Sequence, residues 1–249
     1  MRDVTGDIQS AVVLGGNSDL ASAVIDLLVE RRLTRLVLAV RDTDSVHERC
    51  AAWRESNVEC EVVAYNAAEL DSHECVLEQA GDVDAVFVAF GALGKPFDIS
   101  GADTSEVAEL AQLNFGAGVG ATHAAARHLQ ARGHGSLVVF SSVAAIRPRP
   151  ENAVYGAAKA GLDGFANAMA DALHGSGVHV MIVRPGFVRT KMTEGMDEAP
   201  FATTPEDVAK DVVAGLKRRS RVVWSPAVLR GVFGGLRILP GPLWRRVIE

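Results

Sequence analysis

The sequence predicts an α/β fold in which helices cover both faces of one doubly wound parallel sheet, with strand order 3-2-1-4-5-6-7. Three observations predict it. Short apolar runs alternate with longer amphipathic segments along the chain of 249 residues, as in strands joined by crossover helices. The run at 83–90 is apolar apart from Asp84, which is typical of a central parallel strand. The first run leads at once into a Gly-Gly turn and a helix.

Length and charge indicate one domain that ends in a basic tail. A chain of 249 residues is long enough for one sizeable α/β domain, and no segment has the composition of an interdomain linker. The formal net charge is −6, yet residues 217–249 carry +7 and the rest of the chain carries −13. An acidic body with a basic tail indicates that the tail meets an anionic partner or surface.

The cysteines indicate whether a disulfide framework or metal site is expected, and the N-terminal residues indicate the cellular compartment. Cys50, Cys60 and Cys75 are odd in number and lack CxxC spacing, so we expect neither a disulfide framework nor a zinc or other metal site. The first ten residues lack the apolar core of a signal peptide, and no uncharged apolar run of 18 residues follows. We therefore expect a cytoplasmic protein that does not span a membrane.

The first predicted strand, 11–14, is followed by a Gly-Gly turn and a helix over 20–33. This junction suits the pyrophosphate of a dinucleotide, because backbone N–H groups and the positive end of a helix face the anion. The sheet is therefore of the Rossmann type. Asp19 stands where a glycine fingerprint has glycine, and a carboxylate there lowers affinity unless it turns away, for instance to cap the helix. The candidate cofactor contacts here are Gly15, Asn17, Ser18, Asp19 and Leu20.

The second predicted strand, 36–40, ends in Arg41-Asp42. At this strand end an acid binds the ribose 2′-hydroxyl of NADH, whereas an arginine accommodates the 2′-phosphate of NADPH. Arg41 follows the position at which the acid is expected, so these residues favour NADPH. Asp42 keeps NADH open, and a solvated loop charge is the alternative for Arg41.

Two further strand ends supply candidate cofactor contacts. The strand over 61–65 is followed by Asn66, whose amide can bond the adenine edge. The strand over 83–90 ends at Gly91, where a backbone without a side chain lets a cofactor lie close.

A long helix over about 104–132 contains Asn114 among Ala, Gly and Leu. A buried amide is costly unless it is paired. We interpret Asn114 as the residue that holds a water on a proton path, with a locally satisfied core residue as the alternative.

Ser142 ends the fifth predicted strand, 136–142, and a helix over 154–174 carries Tyr155 and Lys159 four residues apart. Both side chains therefore lie on one helical face. A phenol has a pKa of about 10 and is a poor acid at neutral pH. A lysine ammonium about 4 Å away stabilises its phenolate by roughly 4 kcal/mol, or about three pKa units. With Ser142 holding a carbonyl oxygen and Tyr155 protonating it, these residues predict reduction of a carbonyl by hydride, or the reverse.

The sixth predicted strand, 178–183, leads into a Pro-Gly turn that can line a nicotinamide and bond its carboxamide. The candidate contacts are Pro185, Gly186, Val188 and Thr190. The segment 191–203 has little periodicity and is interpreted as a mobile lid. A helix over 205–219, capped by Thr204, and a last strand over 221–224 follow.

Arg147 and Arg149 alternate with two prolines in the loop between Ser142 and Tyr155. Two guanidinium groups at the mouth of the expected site can receive a substrate phosphate in bidentate fashion. The alternative is an ordinary solvated loop.

The tail, 227–249, combines apolar residues at helical spacing with arginines along one side. The apolar positions are Val228, Leu229, Val232, Phe233, Leu236 and Leu239. Arg230 and Arg237 lie seven residues apart, and Trp244-Arg245-Arg246 follows. This pattern is typical of a segment that lies in a lipid headgroup layer. Packing on a neighbouring subunit is the alternative.

Together these motifs resemble the short-chain dehydrogenase/reductase family over residues 10–226. The matching residues are Gly15-Gly16, Gly91, Asn114, Ser142, Tyr155, Lys159, Pro185-Gly186 and Thr190. The resemblance implies an NAD(P)-dependent oxidoreductase with an NAD(P)-binding domain over 1–226. It also implies a catalytic tetrad of Asn114, Ser142, Tyr155 and Lys159, the last two also contacting the cofactor. The chain departs from the family at Asp19, at Ala21 and at VAFG over 88–91.

A narrower resemblance is to the actinobacterial reductases of decaprenylphosphoryl-2-keto-β-D-erythro-pentose. It rests on VAFGALG at 88–94, VYGAAKAGLDGF at 154–165, RPGFVRTKM at 184–192 and the closing segment from 222. It implies NADH as the donor and a polyprenyl-phosphate sugar as the substrate. It further implies a flavoprotein oxidase as partner in an epimerisation for cell-wall arabinan, with peripheral contact at the inner face of the plasma membrane. The periplasmic face stays open.

Two other functions stay open. The first is a reductase of a soluble ketone, steroid or acyl substrate. The second, from another class, is a nucleotide-binding protein without catalysis, against which the intact tetrad argues. A homo-oligomer is compatible with each of these functions, and no nucleic-acid partner is expected.

Overall fold

The computed structural model describes residues 7–248, apart from the side chain of residue 248. Its centre is one sheet of seven parallel strands in the order 3-2-1-4-5-6-7, so the predicted fold class is confirmed. The strands are β1 Ser10–Leu14, β2 Arg35–Val40, β3 Glu59–Ala64, β4 Ala85–Val88, β5 Gly135–Phe140, β6 Val178–Pro185 and β7 Val222–Ser225. Because the strand order reverses between β1 and β4, a crevice opens at the carboxyl edge there.

Two layers of helices cover the sheet. The helices are α1 Asp19–Val29, α2 His47–Glu55, α3 Asp71–Ala80, α4 Thr104–Ala111, α5 Gly118–Arg132, α6 Ala153–Ala172, α7 Pro205–Arg218, α8 Leu229–Arg237 and α9 Gly241–Ile248. Ala11 and Val13 of β1 belong to one apolar cluster, with residues of α1, α2 and α7. Val12 and Leu14 belong to the other, with residues of α3, α5 and α6. This alternation follows the two-residue period of a strand, and it buries both faces of the sheet.

The helix predicted over 104–132 is interrupted. A π-helical turn, Gln112–Ala117, separates α4 from α5. Single π-helical turns inside α-helices are frequent at functional sites. Here the turn contains Asn114.

The tail forms two short helices, α8 and α9. Pro240 lies between them, and proline cannot donate the backbone hydrogen bond that would continue a helix. Leu229 of α8 is buried and fixes the start of the tail against the turn after β6. A Cβ atom on Gly186 would lie 2.5 Å from Leu229 Cδ1.

One disulfide bond is present, which the number and spacing of the cysteines do not predict. Cys50 of α2 and Cys60 of β3 are disulfide-bonded, with their Cα atoms 5.9 Å apart. Both residues are buried, because α2 folds back onto β3, and sequence spacing does not show this contact. Within residues 7–248, no helix is long and apolar enough to cross a membrane. No group of three or more His, Cys, Asp or Glu side chains in that range could hold a metal ion.

Candidate active site

The carboxyl edge of the sheet brings the four predicted catalytic residues together. Ser142 follows β5, and Tyr155 and Lys159 lie on α6. The Ser142 hydroxyl lies close enough to Tyr155 to lower the pKa of its phenol, and Lys159 Nζ lies 5.9 Å from the centre of the Tyr155 ring. A Cβ atom on Gly91 would lie 2.7 Å from Asn114 Oδ1 and 3.5 Å from Lys159 Nζ, so only glycine leaves room for the backbone between them.

The Ser142 hydroxyl is oriented by its own loop. Its Oγ accepts a hydrogen bond of 3.1 Å from the N–H of Ala144 and caps the short 3₁₀ turn Val143–Ala145. The side chain is buried. Because Oγ accepts this backbone bond, its own proton can be directed to Tyr155 or to a substrate oxygen.

Burial is the main cause of the pKa shifts of the two titratable groups in the site, Lys159 and Tyr155. Lys159 is 4% exposed, and its Nζ donates a hydrogen bond of 2.8 Å to the carbonyl oxygen of Phe140. Burial lowers the pKa of Lys159 to about 8, because an ammonium loses its water on entering the protein. Burial also raises the pKa of Tyr155, and the hydrogen bond from Ser142 partly offsets this rise.

The net shift of the Tyr155 pKa is upward and not downward as expected, because desolvation by burial is its largest cause. The prediction placed the ammonium about 4 Å from the phenol in a screened medium. The observed ammonium is directed at the Phe140 carbonyl, and removal of the phenol from water outweighs its attraction. Tyr155 rests as a protonated phenol, the form that donates a proton.

Asn114 is satisfied almost completely by its own surroundings. Its Nδ2 donates to the carbonyl oxygens of Ala92 at 2.8 Å and Leu110 at 3.0 Å. Its Oδ1 accepts from the N–H of Ala92 at 3.2 Å. An amide has two N–H groups and two acceptor positions, so one acceptor position of Oδ1 is left for a water. The same bonds hold the segment after β4 against the π-helical turn.

The glycine turn after β1 has the shape of a dinucleotide cradle. Gly15 has φ +93°, and a Cβ atom there would lie 2.6 Å from the backbone nitrogen of Phe90. The N–H groups of Gly15 and Gly16 both donate to the carbonyl oxygen of Ala39 at 3.0 Å. A pyrophosphate would therefore be met by the N-terminus of α1, whose positive end faces the crevice.

Asp19 turns away from this cradle, but it does not cap the helix. Ser18 is the cap, and its Oγ accepts from the N–H of Ala21 at 3.3 Å. The Asp19 carboxylate accepts a hydrogen bond of 3.0 Å from the N–H of Lys191, and Lys191 Nζ lies 3.7 Å from it. Asp19 thus ties the glycine turn to the segment predicted as a lid.

Of the residues predicted to contact the adenosine half of the cofactor, one has no partner for its side chain among the described residues, and two are already hydrogen-bonded to neighbouring residues. Arg41 is exposed and forms no ion pair with any residue in 7–248. The Asp42 carboxylate accepts from the N–H of Asp44 at 3.1 Å, so it is held in a local turn. Asn66 is also engaged locally, with its Nδ2 donating to Glu69 at 3.0 Å and its Oδ1 accepting from Ala68 at 3.2 Å.

The predicted contacts of the nicotinamide half follow β6. Gly186 donates its N–H to the Ser225 carbonyl at 2.9 Å, which anchors the Pro-Gly turn to β7. Val188 forms an isolated parallel bridge with Thr203. The N–H of Thr190 donates to Thr193 Oγ1 at 3.1 Å. The segment 191–203 is thus held at its start by a backbone-to-side-chain hydrogen bond and at its end by the bridge of Thr203 to Val188.

A cleft of about 510 Å³ opens on Tyr155. Its lining is largely apolar, including Leu93, Phe97, Val107, Leu110, Leu113 and Val154. Carboxylate residues also line it, namely Asp98, Glu106, Glu109 and Glu151. The one lysine of the lining, Lys95, pairs with Glu106 at 3.1 Å. This composition suits an apolar or polyhydroxy group better than an anion.

Arg147 does not face this cleft. Its guanidinium donates to the carbonyl oxygens of Arg237 and Leu239, each at 3.3 Å, and lies 4.9 Å from the centre of the Trp244 ring. The tail folds back onto the loop after Ser142, so the Arg147 guanidinium is engaged by the tail, and its predicted contact with a substrate phosphate stays a prediction. Arg149 is exposed and stays a candidate.

Sequence reasoning missed a buried ion pair beside the site. Asp163 lies one helical turn beyond Lys159 and pairs with Arg184, which directly precedes Pro185. Two signals could have found it. An acid stands on the face of α6 that carries the catalytic pair, and an arginine directly follows the mostly apolar run predicted as the sixth strand.

Comparisons with known proteins agree with this geometry. A family model described as short chain dehydrogenase matches residues 9–200. A Mycobacterium tuberculosis protein described as an uncharacterized oxidoreductase is 41% identical over 245 residues, 95% of this chain and 96% of that one. A Streptomyces coelicolor protein, also described as an uncharacterized oxidoreductase, is 38% identical over 250 residues, 99% of each chain. The crystal structure of a short chain dehydrogenase from Burkholderia cenocepacia in complex with NADP has a TM-score of 0.83 at 18% identity, over 98% of each chain.

Proposed function

This chain belongs to the short-chain dehydrogenase family, and we propose that it reduces a ketone to a secondary alcohol with NAD(P)H. One observation carries the proposal. A protonated Tyr155 lies beside Ser142 and the buried Lys159, at the mouth of a cleft that can hold a substrate. A general acid and a hydrogen-bond donor that meet at one point suit a carbonyl oxygen.

The residues present fit a dinucleotide. The cradle at Gly15 and the close approach at Gly91 both exclude a side chain. The N-terminus of α1 is suited to the pyrophosphate, and the Pro185-Gly186 turn, Val188 and Thr190 to the nicotinamide. NAD(P)H, when bound, supplies the hydride that adds to the keto carbon.

The protein side chains donate the proton that the reduction needs and replace it afterwards. Ser142 Oγ orients the carbonyl oxygen, and the Tyr155 hydroxyl donates its proton to that oxygen as the C–O bond becomes single. The phenolate left on Tyr155 is stabilised by Ser142 and by the Lys159 ammonium. A water on the remaining acceptor position of Asn114 would lead a proton back towards Lys159.

We further propose that the ketone lies on a sugar carried by a polyprenyl phosphate, as in the 2-keto-pentose that becomes the arabinose donor of cell walls. The motif resemblance supports this proposal. The cleft supports it too, because carboxylates such as Glu109 and Glu151 accept hydrogen bonds from sugar hydroxyls. The phosphate would lie outside this acidic lining, towards Arg149. A flavoprotein oxidase would supply the keto-sugar in such an epimerisation.

The test is oxidation of reduced nicotinamide, followed by absorbance, with a polyprenyl-phosphate 2-keto-pentose and with soluble ketones, a steroid and an acyl thioester. We expect rapid turnover of the lipid-linked sugar alone. Turnover of a soluble ketone alone would retain the ketone reductase and discard the sugar. A protein that binds the cofactor and reduces no carbonyl would discard the enzyme itself.

The same assay run with each cofactor tests Arg41. The exposed guanidinium supports NADPH, because a 2′-phosphate would gain charge-assisted bonds from it. We expect Arg41→Ala to lower the preference for NADPH over NADH about tenfold or more. The control is Arg127→Ala, which removes an exposed arginine paired with Glu74. A ratio that does not change in Arg41→Ala would contradict this assignment and favour NADH.

The tail supports a proposed contact with an anionic lipid surface. It presents exposed apolar side chains, including Ile238 at 82% and Leu243 at 48%. Four exposed arginines accompany them, namely Arg230, Arg237, Arg245 and Arg246. Apolar groups enter the acyl boundary while arginines meet phosphates. Arg147 holds this surface beside the loop that leads to the site.

Vesicle sedimentation tests the tail contact. We expect the protein to sediment with vesicles that contain anionic lipid, and not with neutral vesicles. Ile238→Asp with Leu243→Asp should weaken binding about tenfold or more. Ile99→Asp is the matched control, because Ile99 is 86% exposed elsewhere on the chain. If the double variant instead lowers the oligomeric state and vesicle binding is absent throughout, the surface is a subunit interface.

A further inference from the structure

Asp163 is the centre of a buried polar cluster next to the site. It is 6% exposed, and both carboxylate oxygens are engaged. Arg184 Nε donates to Oδ2 at 2.8 Å, and Arg184 Nη2 donates to Oδ1 at 2.7 Å. Ser141 Oγ donates to Oδ2 at 2.8 Å, and Asn167 Nδ2 donates to Oδ1 at 3.0 Å.

The partners of Asp163 are sequence neighbours of the site residues on three elements. Asp163 lies four residues after Lys159 on α6. Ser141 precedes Ser142 at the end of β5, and Arg184 precedes Pro185 in β6. One carboxylate therefore connects three segments that must keep their mutual distances for proton and hydride transfer.

The Arg184 side of the cluster is also held in place. Its guanidinium lies 4.9 Å from the centre of the Trp224 ring in β7, and such stacking fixes the plane of the arginine fork. A bidentate pair fixes both the distance and the orientation between its partners. The cluster therefore sets the position of α6 on the sheet at the level of the site.

Fold stability does not account for this pair. Removing two charges from water costs several kcal/mol per ion, and apolar replacement of buried pairs is often neutral or stabilising. Catalysis is more sensitive to position, because a displacement of about 1 Å can lower a rate about 100-fold.

We propose that Asp163 is a positioning residue that holds α6 in register with Ser142 and Pro185. The inference rests on the proposed function for its effect on rate, and on the hydrogen bonds alone for its effect on the loops. Both carboxylate oxygens of Asp163 are engaged by protein side chains. It acts through Ser141 and Arg184.

The test compares Asp163→Asn with Asp171→Asn in the full chain. Asp171 is the matched control, because it lies eight residues further along α6 and pairs with Arg221 at an exposed position away from the site. We expect Asp163→Asn to lower kcat about 100-fold and to change KM less than about threefold. Asp171→Asn should leave kcat unchanged.

Two smaller variants separate positioning from general destabilisation. Ser141→Ala removes only the hydroxyl that joins the strand end to the carboxylate, and we expect kcat to fall about tenfold. Ser141→Thr keeps a hydroxyl and should restore most of the rate. The proposal would be overturned if Ser141→Thr lost as much rate as Ser141→Ala. It would also be overturned if Asp163→Asn and Asp171→Asn lost equal rate.

Amide hydrogen exchange provides a readout that needs no substrate. We expect faster exchange at residues 142–145 and 186–188 in Asp163→Asn than in Asp171→Asn, at equal melting temperature or after correction for it. Unchanged exchange in these segments would overturn the positioning role even if the wild-type protein reduced none of the carbonyls tried.

Discussion

Replacing Tyr155 by Phe is expected to remove carbonyl reduction while reduced nicotinamide still binds. The variant lacks only the hydroxyl that donates a proton to the carbonyl oxygen. A general acid contributes about 10² to 10⁴ in rate, and with the loss of the Ser142 contact we expect kcat to fall about 1,000-fold or more. Turnover and a fluorescence titration with reduced nicotinamide measure the two quantities separately.

The chain offers a matched control for this variant. Tyr65 is the other of its two tyrosines, and its hydroxyl hydrogen-bonds His73 Nδ1 at 2.8 Å in a buried position. Tyr65→Phe should lower stability slightly and leave kcat unchanged. Retained turnover in Tyr155→Phe would remove Tyr155 as the acid. Equal losses in both variants would indicate a structural effect.

Replacing Lys159 by Met is expected to abolish turnover and to stabilise the fold at neutral pH. The phenolate formed on Tyr155 loses its neighbouring cation, so we expect a fall in kcat of about 100-fold or more. The folded-state pKa of Lys159 is about 8, against the ordinary lysine value of 10.5. That difference corresponds to up to about 3 kcal/mol against folding with a charged lysine. The Phe140 carbonyl loses its donor, which offsets about 1 kcal/mol of the gain.

The sign of this effect depends on pH in a defined way. Below pH 8 Lys159 is charged in both folded and unfolded chains, and the full penalty of its burial is present. Between about 8 and 10.5 the folded chain binds fewer protons, so the stability of the wild type rises with pH. The advantage of Lys159→Met should therefore be greatest below pH 8 and shrink towards pH 10.5. Carbonyl reduction by the wild type should decline above about pH 8, as the ammonium is lost.

Thermal melting across this pH range measures the stability effect. The control is Lys210→Met, because Lys210 is exposed and pairs with Asp207. The melting temperature of this control should shift little at any pH. A Lys159→Met variant that melts below the wild type at every pH would contradict the burial penalty.

Much of the fold and of the candidate site could be predicted, because the relevant signals are local. A parallel strand buried on both faces is a short apolar run, and a crossover helix is a longer periodic one. Once the strand order is known, residues just after β1, β4, β5 and β6 must meet at one edge. This is why the sequence alone is enough to place Gly15, Gly91, Ser142 and Pro185 at one edge of the sheet.

The sequence by itself therefore determined the order of the elements, the edge at which the site lies and the spacing of Tyr155 and Lys159 on one helical face. Only the tertiary structure decided the protonation states of the site residues and the partners of the charged residues around them. Burial reversed the expected pKa shift of Tyr155. Arg147 binds the tail, Asp19 meets Lys191 and Asp163 joins three elements. The physical reason is that desolvation and long-range pairing are properties of the packed chain, whereas periodicity and spacing report only on neighbours along it.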